Sequence, residues 1–393
     1  MATAIIITIC LLLLLAYLFD VSSSKTKIPS VILLLLMGWG SKQIAFFFKI
    51  SIPDLTPILP ILGTVGLILI VLEGALELEL NKSKLVLIGK SSIMAIFQML
   101  VISFVLAYSF YYFGHTTFIS GLINAIPLAI ISSAIAIPSA KNLIASNKEF
   151  VTYESSLSDI FGVIFFNFIT FNDNLNTETV GIFVFQLLLM IFVSFVATLL
   201  LAFLLSKINH HIKFTPIILL VILIYSISKI YHLPSLIFIL IFGLFIGNLD
   251  ELKRFEILSK LKPEILKFEI RKFKEITTEI TFMIRALFFL LFGFLIEKAD
   301  LLNTDTALWA LFITAGIFFI RTIMLQILKL PLSPLLFIAP RGLITILLYL
   351  SIPVSQYIGI ATNSLILQVI ILTAFVMMFG LVKHKNVEKV EIA

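Results

Sequence analysis

Two carboxylates lie inside an apolar stretch of the chain, in the segment YESSLSDIFGVIFFN at residues 153–167. Glu154 and Ser158 are four residues apart and share one face of a helix, whereas Ser155 and Asp159 share the adjacent face. The two acids are five residues apart, which turns them about 140° away from each other on a helix. The spacing therefore predicts two roles: one acid pairs with a cation from a neighbouring helix, and the other faces a cavity beside a serine hydroxyl.

A third acid, Glu73, lies in the middle of the apolar run LIVLEGALELEL at residues 69–80. Glu77 and Glu79 are closer to the end of that run, where water can reach them. We therefore expect a functional role for Glu73 and solvated charges at Glu77 and Glu79.

A break is predicted in the segment LAIISSAIAIPSAKNL, which contains Ser132, Ser133 and Pro138. Proline lacks a backbone donor and leaves a carbonyl free within a helix. Such a carbonyl is tolerated inside a membrane where it lines a cavity, and broken helices of this kind bind cations in secondary transporters. An ordinary proline kink packed by serines is the alternative.

The segment LSPLLFIAPRGLITILLYLSIP predicts a second break, because Pro340 precedes Arg341 and Gly342. Arg341 and Arg285 lie deep in apolar segments, so Arg341 is a natural partner for a buried acid. Lys90 and Arg321 are closer to segment ends, where we expect their long side chains to reach water.

The composition places these residues in a membrane protein. The chain has 393 residues, of which 60% are hydrophobic and 13% charged, whereas soluble domains carry about 25% charged residues. Its outer solvent must be lipid, where a charge costs at least ~2.5–3.5 kcal/mol and is usually functional or paired. The single cysteine, Cys10, excludes an intrachain disulfide.

The sequence predicts an all-α polytopic membrane protein with about 13 spans, because each crossing needs about 20 apolar residues. We place the spans near residues 3–20, 29–48, 57–79, 85–113, 118–146, 150–171, 179–206, 214–231, 234–249, 277–297, 305–328, 332–355 and 361–382. The N-terminal run has no basic region before it, so we expect a retained first span and no signal peptide.

The order of the spans predicts an internal symmetry. Spans 1–6 (about 3–171) and spans 8–13 (about 214–382) would be two inverted repeats of six, with span 7 (about 179–206) as the linker. The two broken spans, the fifth and the twelfth, are corresponding members and would cross near the membrane midplane. The whole chain is then one transporter domain.

The basic residues predict the orientation. Of the 28 Lys and Arg residues, 20 fall in one alternating set of loops and tails, four in the opposite set and four in spans. Because cytoplasmic loops carry the excess, we expect the N-terminus outside and the C-terminus in the cytoplasm, in the plasma (inner) membrane. This topology explains the net charge of +6, so no nucleic-acid partner is predicted.

One polar segment, residues 250–276, has apolar residues at helical spacing and contains Pro263. We interpret it as two short amphipathic helices on the cytoplasmic face. The five histidines lie in loops or at span ends, and the pair His210 and His211 is interpreted as part of a cytoplasmic loop. Because no acid accompanies them inside a span, an intramembrane metal enzyme is disfavoured.

Four segments, taken in order, resemble the monovalent cation:proton antiporter superfamily. They are LEGALEL at 72–78, ESSLSD at 154–159, FFLLFGFLI at 288–296 and PRGLITI at 340–346. They are similar to motifs of the electroneutral sodium/proton antiporters, and the serine pair at the fifth-span break is similar to the potassium-efflux branch. The similarity in span count and order covers essentially the whole chain.

The resemblance implies a site for each ion. Asp159 would bind either a proton or a cation, Na⁺ or K⁺, and Glu73 and Ser155 would complete the cation site with carbonyls near Ser133. No cofactor is implied beyond the transported ions. The resemblance also implies a homodimer in membrane lipid, and a six-helix bundle that moves against a stationary scaffold.

The resemblance further implies a structural ion pair between Glu154 and Arg341 that joins the sixth and twelfth spans, with Ser158 nearby. Ser132, Pro138 and Arg285 would support the site.

The sequence departs from the family pattern at two places. Ser132-Ser133-Ala134 stands where the family usually has T-D-P, so one possible acidic ligand is missing. Ser158 replaces the family's Asn or Asp, and the absence of a second Asp favours electroneutral exchange. We also expect no C-terminal nucleotide-binding domain of the kind often found in the potassium-efflux branch.

We therefore predict a transporter, not an enzyme, that exchanges a monovalent cation for protons, with sodium favoured over potassium. Two alternatives are a symporter for an organic anion, which would need basic groups in its cavity, and a cation channel, which would conduct without proton coupling.

Overall fold

The structure is a computed structural model that describes residues 2–26, 28–49, 54–79, 82–172, 176–207, 214–231, 233–248 and 263–391. Nine of the described helices are long and apolar enough to cross a membrane, and two shorter apolar helices accompany them. Helices dominate because each one satisfies its backbone hydrogen bonds internally, as lipid requires.

In chain order, the described helices are α1 (Ala2–Thr26), α2 (Ser30–Phe47), α3 (Ile58–Glu77), α4 (Leu85–Gly114), α5 (Phe118–Ala129), α6 (Ser133–Ser139), α7 (Ala145–Thr170), α8 (Thr177–Lys207), α9 (Phe214–Ile230), α10 (Leu236–Gly247), α11 (Pro263–Leu295), α12 (Lys298–Leu301), α13 (Thr304–Ile327), α14 (Leu343–Leu350) and α15 (Asn363–Glu391). Short 3₁₀ turns are formed by Lys82–Lys84, Leu335–Phe337 and Val354–Gln356.

The all-α polytopic architecture predicted from the sequence is confirmed, and a helix lies in each predicted span. The fifth span is interrupted between Ala129 and Ser133, and the twelfth consists of the turn Leu335–Phe337, an extended stretch and α14. The inverted relation of the two halves remains a prediction.

The helices form two bundles. Helices α4–α7 and α12–α15 pack against one another, and we call them the core bundle; α1–α3 and α8–α11 form the scaffold bundle. Helix α3 makes most of the contact between the bundles, against α6, α7 and α14. Both interrupted spans therefore belong to the core bundle.

Reciprocal glycines hold α2 against α11 in the scaffold bundle. A Cβ atom on Gly38 would lie 2.2 Å from the carbonyl oxygen of Leu290, and one on Gly293 would lie 2.3 Å from the carbonyl oxygen of Leu35. Only glycine allows two helix backbones to approach this closely in a membrane. This close contact between α2 and α11 leaves little room for one helix to slide along the other.

The polar segment differs from its predicted form. Residues 263–276 are continuous with the tenth span in one helix, α11 (Pro263–Leu295). Residues 250–262 and the pair His210 and His211 lie outside the described residues.

Candidate functional site

The two interrupted spans touch at their breaks. The N–H of Ser132 donates to the carbonyl oxygen of Pro340 at 2.9 Å. A Cβ atom on Gly342 would lie 2.6 Å from Cδ1 of Ile135 and 2.9 Å from Oγ of Ser132. Backbone that has left the helix is therefore paired and enclosed by protein, which is what membrane depth requires.

Arg341 caps the broken end of α5. Its Nε donates to the carbonyl of Leu128 at 2.7 Å, its Nη2 donates to that of Ala129 at 3.1 Å, and its Nη1 donates to that of Ala339 at 2.8 Å. The side chain is fully buried. A guanidinium is well suited to this position because the last carbonyls of a helix carry partial negative charge.

Glu154 pairs with Arg321, so the predicted ion pair between Glu154 and Arg341 is wrong. Nη1 of Arg321 lies 2.6 Å from Oε1 of Glu154, and Nη2 lies 2.9 Å from Oε2. Glu154 is 1% and Arg321 0% exposed. A bidentate pair of this kind compensates the cost of burying both charges, which a single contact would not do.

Arg321 was expected to reach water, and this expectation is also wrong. Helix α13 packs against α4 and the turn Leu335–Phe337 inside the core bundle. Protein therefore surrounds the side chain of Arg321, which does not reach water. Its Nε also donates to the carbonyl of Leu335 at 2.8 Å, and its Nη1 also donates to Oε1 of Gln98 at 3.0 Å. Sequence reasoning missed Gln98, although an amide inside the apolar helix α4 was a signal.

Asp159 is a buried carboxylate held at one oxygen only. Its Oδ2 accepts from the N–H of Ser133 at 3.2 Å and from the hydroxyl of the same residue. Its Oδ1 has no hydrogen-bond partner among the described residues, and the side chain is 1% exposed. The first N–H groups of α6 carry partial positive charge that favours an anion. One carboxylate oxygen is thus left for a proton or a cation.

The neighbouring serines have different environments. The hydroxyl of Ser158 accepts from the N–H of Ile131 at 3.0 Å, which satisfies part of the broken span. The hydroxyl of Ser155 donates to the carbonyl of Val151 at 2.7 Å. The Oγ of Ser132 is buried without a partner in the described part of the chain. Sequence spacing correctly separated the face of Glu154 from that of Asp159.

A cavity of about 550 Å³ lies between the two bundles at one end of the molecule, and we call it the large cavity. It reaches Ser133 at the start of α6, and Pro138 lies on its wall. Asp159 lies behind Ser133 and is not itself on the lining. The charged lining side chains are Asp20, Glu73, Glu77, Lys141, Lys148, Glu279 and Arg285.

Glu73 is half-buried on this wall, in the same cavity as Arg285 and Ser133. The large cavity thus brings together predicted site residues from α3, α6 and α11. Ser155 and Asp159 are buried in α7, and neither is on the lining.

A second cavity of about 120 Å³ lies at the opposite ends of α3 and α7, and we call it the small cavity. Helix α7 contributes Val163, Phe166, Asn167 and Thr170, which begin one turn beyond Asp159. The two cavities share no lining residue. Asp159 therefore lies along α7 between a large cavity on one side and a small one on the other.

A partly exposed ion-pair group borders the end of the molecule that contains the large cavity. Nζ of Lys84 lies 2.6 Å from Oε2 of Glu79, just after α3, and 2.9 Å from Oε1 of Glu149 on α7. The hydrogen bond to Glu79, followed by that to Glu149, raises the pKa of Lys84. The hydrogen bond from Lys84 lowers the pKa of Glu79. The group links the scaffold bundle to the core bundle.

Comparisons with known proteins identify the family and the fold. The family model described as sodium/hydrogen exchanger, transmembrane, matches residues 10–383. The structure of the sodium proton antiporter MjNhaP1 from Methanocaldococcus jannaschii at pH 8 is similar, with a TM-score of 0.69 and 19% identity over 97% of this chain and 96% of that one. A second structure of MjNhaP1, from an electron-microscopy map, gives a TM-score of 0.68 and 19% identity over 97% and 95%. The comparison with curated proteins gave no match.

The chain is an integral, multi-pass membrane transporter, and it belongs to the sodium/hydrogen exchanger family. Its activity is the exchange of a monovalent cation for protons.

Proposed function

We propose that this protein exchanges Na⁺ for protons by alternating access, with Asp159 as the group that binds either ion. The observation that carries the proposal is the state of this carboxylate. It is buried, only one of its oxygens has a hydrogen-bond partner among the described residues, and it lies between two separate cavities.

The competition between the ions follows from the cost of a buried charge. A carboxylate in a low-dielectric site is unfavourable unless its charge is neutralised. A proton on Oδ1 neutralises it, and so does a monovalent cation, but the protonated acid no longer attracts the cation. Release of one ion therefore accompanies binding of the other.

Oxygen ligands for the cation would come from Asp159, Glu73 and Ser155, with backbone oxygens beside Ser133. Because Ser155 donates its hydroxyl proton to Val151, the lone pairs of its oxygen remain free to face a cation. Glu73 lies on the wall of the large cavity beside Arg285, and it would meet the ion on its way to Asp159. Sodium is favoured because the matching family and MjNhaP1 are both described as sodium transporters.

The stoichiometry we propose is one cation for one proton. Asp159 is the one acid at the crossing of the broken spans in the described structure, because Glu154 is neutralised by Arg321. Ser158 adds no second carboxylate beside it. Exchange of one charge for another at a single group moves no net charge.

Alternating access is supported by the two bundles. The broken spans and Asp159 belong to the core bundle, and both cavities lie where it meets scaffold helices. Movement of the core bundle would close the large cavity and widen the small one. By the distribution of basic residues, the large cavity would open to the cytoplasm, with the N-terminus outside.

The resemblance to the antiporter superfamily also supports a homodimer in the plasma (inner) membrane, and we propose that assembly. Chemical crosslinking in native membranes would test it.

The test of the function uses purified protein in liposomes with a trapped pH dye and an acidic lumen. Addition of Na⁺ outside should drive proton efflux, with Li⁺ and K⁺ compared at equal concentration. Because exchange is electroneutral, the rate should not change when valinomycin and K⁺ clamp the membrane potential. Cation-independent proton movement, or none with any cation, would contradict the proposal.

A further inference from the structure

The charges on the two cavities are unequal. The large cavity has four acidic and three basic side chains on its lining. Lys229 is the one charged side chain that lines the small cavity in the described structure, and its other polar residues include Asn167, Thr170 and Tyr225. An ion that approaches Asp159 thus meets nearby carboxylates at one end and a fixed positive charge at the other.

Lys229 lies at the mouth of the small cavity. It is in the last turn of α9 and is solvent-exposed, and the described residues show no acid within ion-pair distance of it. The carbonyls at the end of α9 offset about half an elementary charge, so a net positive charge remains. The lining includes the apolar residues Leu67, Val163, Phe166 and Leu347, and no acid lines this cavity among the described residues.

We propose that Lys229 is an electrostatic determinant of cation access from the small-cavity side. The inference rests on the proposed function, since it assumes that ions reach Asp159 from both cavities. A cleft with low-dielectric walls focuses the field of a charge at its mouth and changes the local ion concentration. The charge of Lys229 lowers the cation concentration inside the small cavity. A higher bulk concentration on that side is therefore required to half-saturate the transporter.

One feature separates this role from direct ion binding. A charge at the mouth repels Na⁺ and protons equally, so the half-saturating concentration of each ion on that side, measured where the other ion is scarce, changes by the same factor. Loss of a direct ligand for Na⁺ would instead change the value for Na⁺ more than the value for protons.

The test measures the KM for Na⁺ from each side, in vesicles sorted by orientation through a tag on the C-terminus. In Lys229→Gln, measured at alkaline pH on that side, the KM from the small-cavity side should fall about two- to fivefold, the order expected when one unit charge is removed from a cavity with mixed water and protein walls. Lys229→Glu should lower it further. The KM from the large-cavity side should stay the same, and inert salt should reduce the difference because it screens an exposed charge.

Lys298→Gln is the matched control, because this exposed lysine carries the same charge at the start of α12, which is expected at the same end, and does not line the cavity. Its KM values should equal those of the original protein. An unchanged small-cavity KM in both Lys229 variants would overturn the inference, as would an equal change from both sides or the same change in Lys298→Gln. Failure of the proposed function would be distinguishable from failure of this inference, because the unsubstituted protein would then show no exchange.

Discussion

At the residue scale, the site depends on how each buried charge is compensated. Arg321 neutralises Glu154 with two hydrogen bonds, and Arg341 is directed at the carbonyls that end α5. Asp159 has hydrogen bonds from Ser133 alone among the described residues, and no arginine is paired with it. Two of the three groups are therefore compensated by the protein, and by the proposed function the transported ion compensates the third, Asp159.

The ion pair gives a prediction for stability. Because Glu154→Ala leaves Arg321 buried without its partner, it should lower the free energy of unfolding by about 3–5 kcal/mol, as should Arg321→Met. The double variant should lose much less than the sum, since neither charge is then left alone. Thermal unfolding in detergent would measure this coupling. Additive losses from Glu154→Ala and Arg321→Met would show that the two side chains do not pair.

The sequence could identify the acids at this scale but not their partners. The separation of Glu154 from Asp159 follows from helix geometry, and the structure places them in different environments. Glu154 pairs with Arg321 and not with Arg341 because of how α13 packs against α4 and the turn Leu335–Phe337. No local sequence pattern predicts that packing. The position of Lys229 on a cavity wall was missed for the same reason.

At the element scale, the crossing of the broken spans depends on close backbone approach. A Cβ atom on Gly342 would lie 2.6 Å from Ile135 and 2.9 Å from the hydroxyl of Ser132. Gly342→Ala should therefore displace the fifth-span break, lower stability by about 1–3 kcal/mol and reduce the exchange rate. Thermal unfolding and the pH-dye assay would measure both effects.

The control for that substitution is Gly316→Ala on α13, where an added Cβ meets nothing within 4 Å. Alanine also favours a helix over glycine, so the control should be neutral or slightly stabilising. If Gly342→Ala were as well tolerated as Gly316→Ala, the crossing would not need this close contact.

The ion pairs of Lys84 with Glu79 and Glu149 are expected to stabilise the protein to an extent that depends on pH. Lys84→Met should lower stability by no more than about 1 kcal/mol, because Glu79 is 69% exposed and solvent weakens the pair. The pKa of Glu79 is held below its ordinary value of 4.5. The stability that its ion pair contributes is therefore present above pH 4.5 and is lost as the pH falls through the lowered pKa. The pKa of Lys84 is raised, so its contribution is lost only in strong alkali.

The difference in unfolding temperature between the original protein and Lys84→Met should accordingly be constant near neutral pH and shrink in acid. Lys90→Met, in the helix α4 that follows the turn containing Lys84, removes one charge without breaking this ion pair. A difference that grew as the pH fell, or an equal effect of Lys90→Met, would contradict the assignment.

At the scale of the whole molecule, the sequence predicts the architecture well and the bundles poorly. Spans could be located because lipid demands about 20 apolar residues for each crossing, and the breaks because proline and serine interrupt such runs. The division into a core and a scaffold bundle depends on contacts between distant spans, such as α4 with α13. The bundles mix helices from both halves of the chain, so the order of spans alone does not reveal them.

The central claim is that one carboxylate, Asp159, holds either the proton or the cation. The most direct test is cation-driven proton efflux by Asp159→Asn in liposomes, with Asp305→Asn, an exposed acid at the start of α13, as the control. Asparagine keeps the shape but has no charge to exchange. We predict that Asp159→Asn folds and loses exchange with Na⁺, Li⁺ and K⁺, whereas Asp305→Asn keeps the original rate. Normal exchange by folded Asp159→Asn would contradict the account.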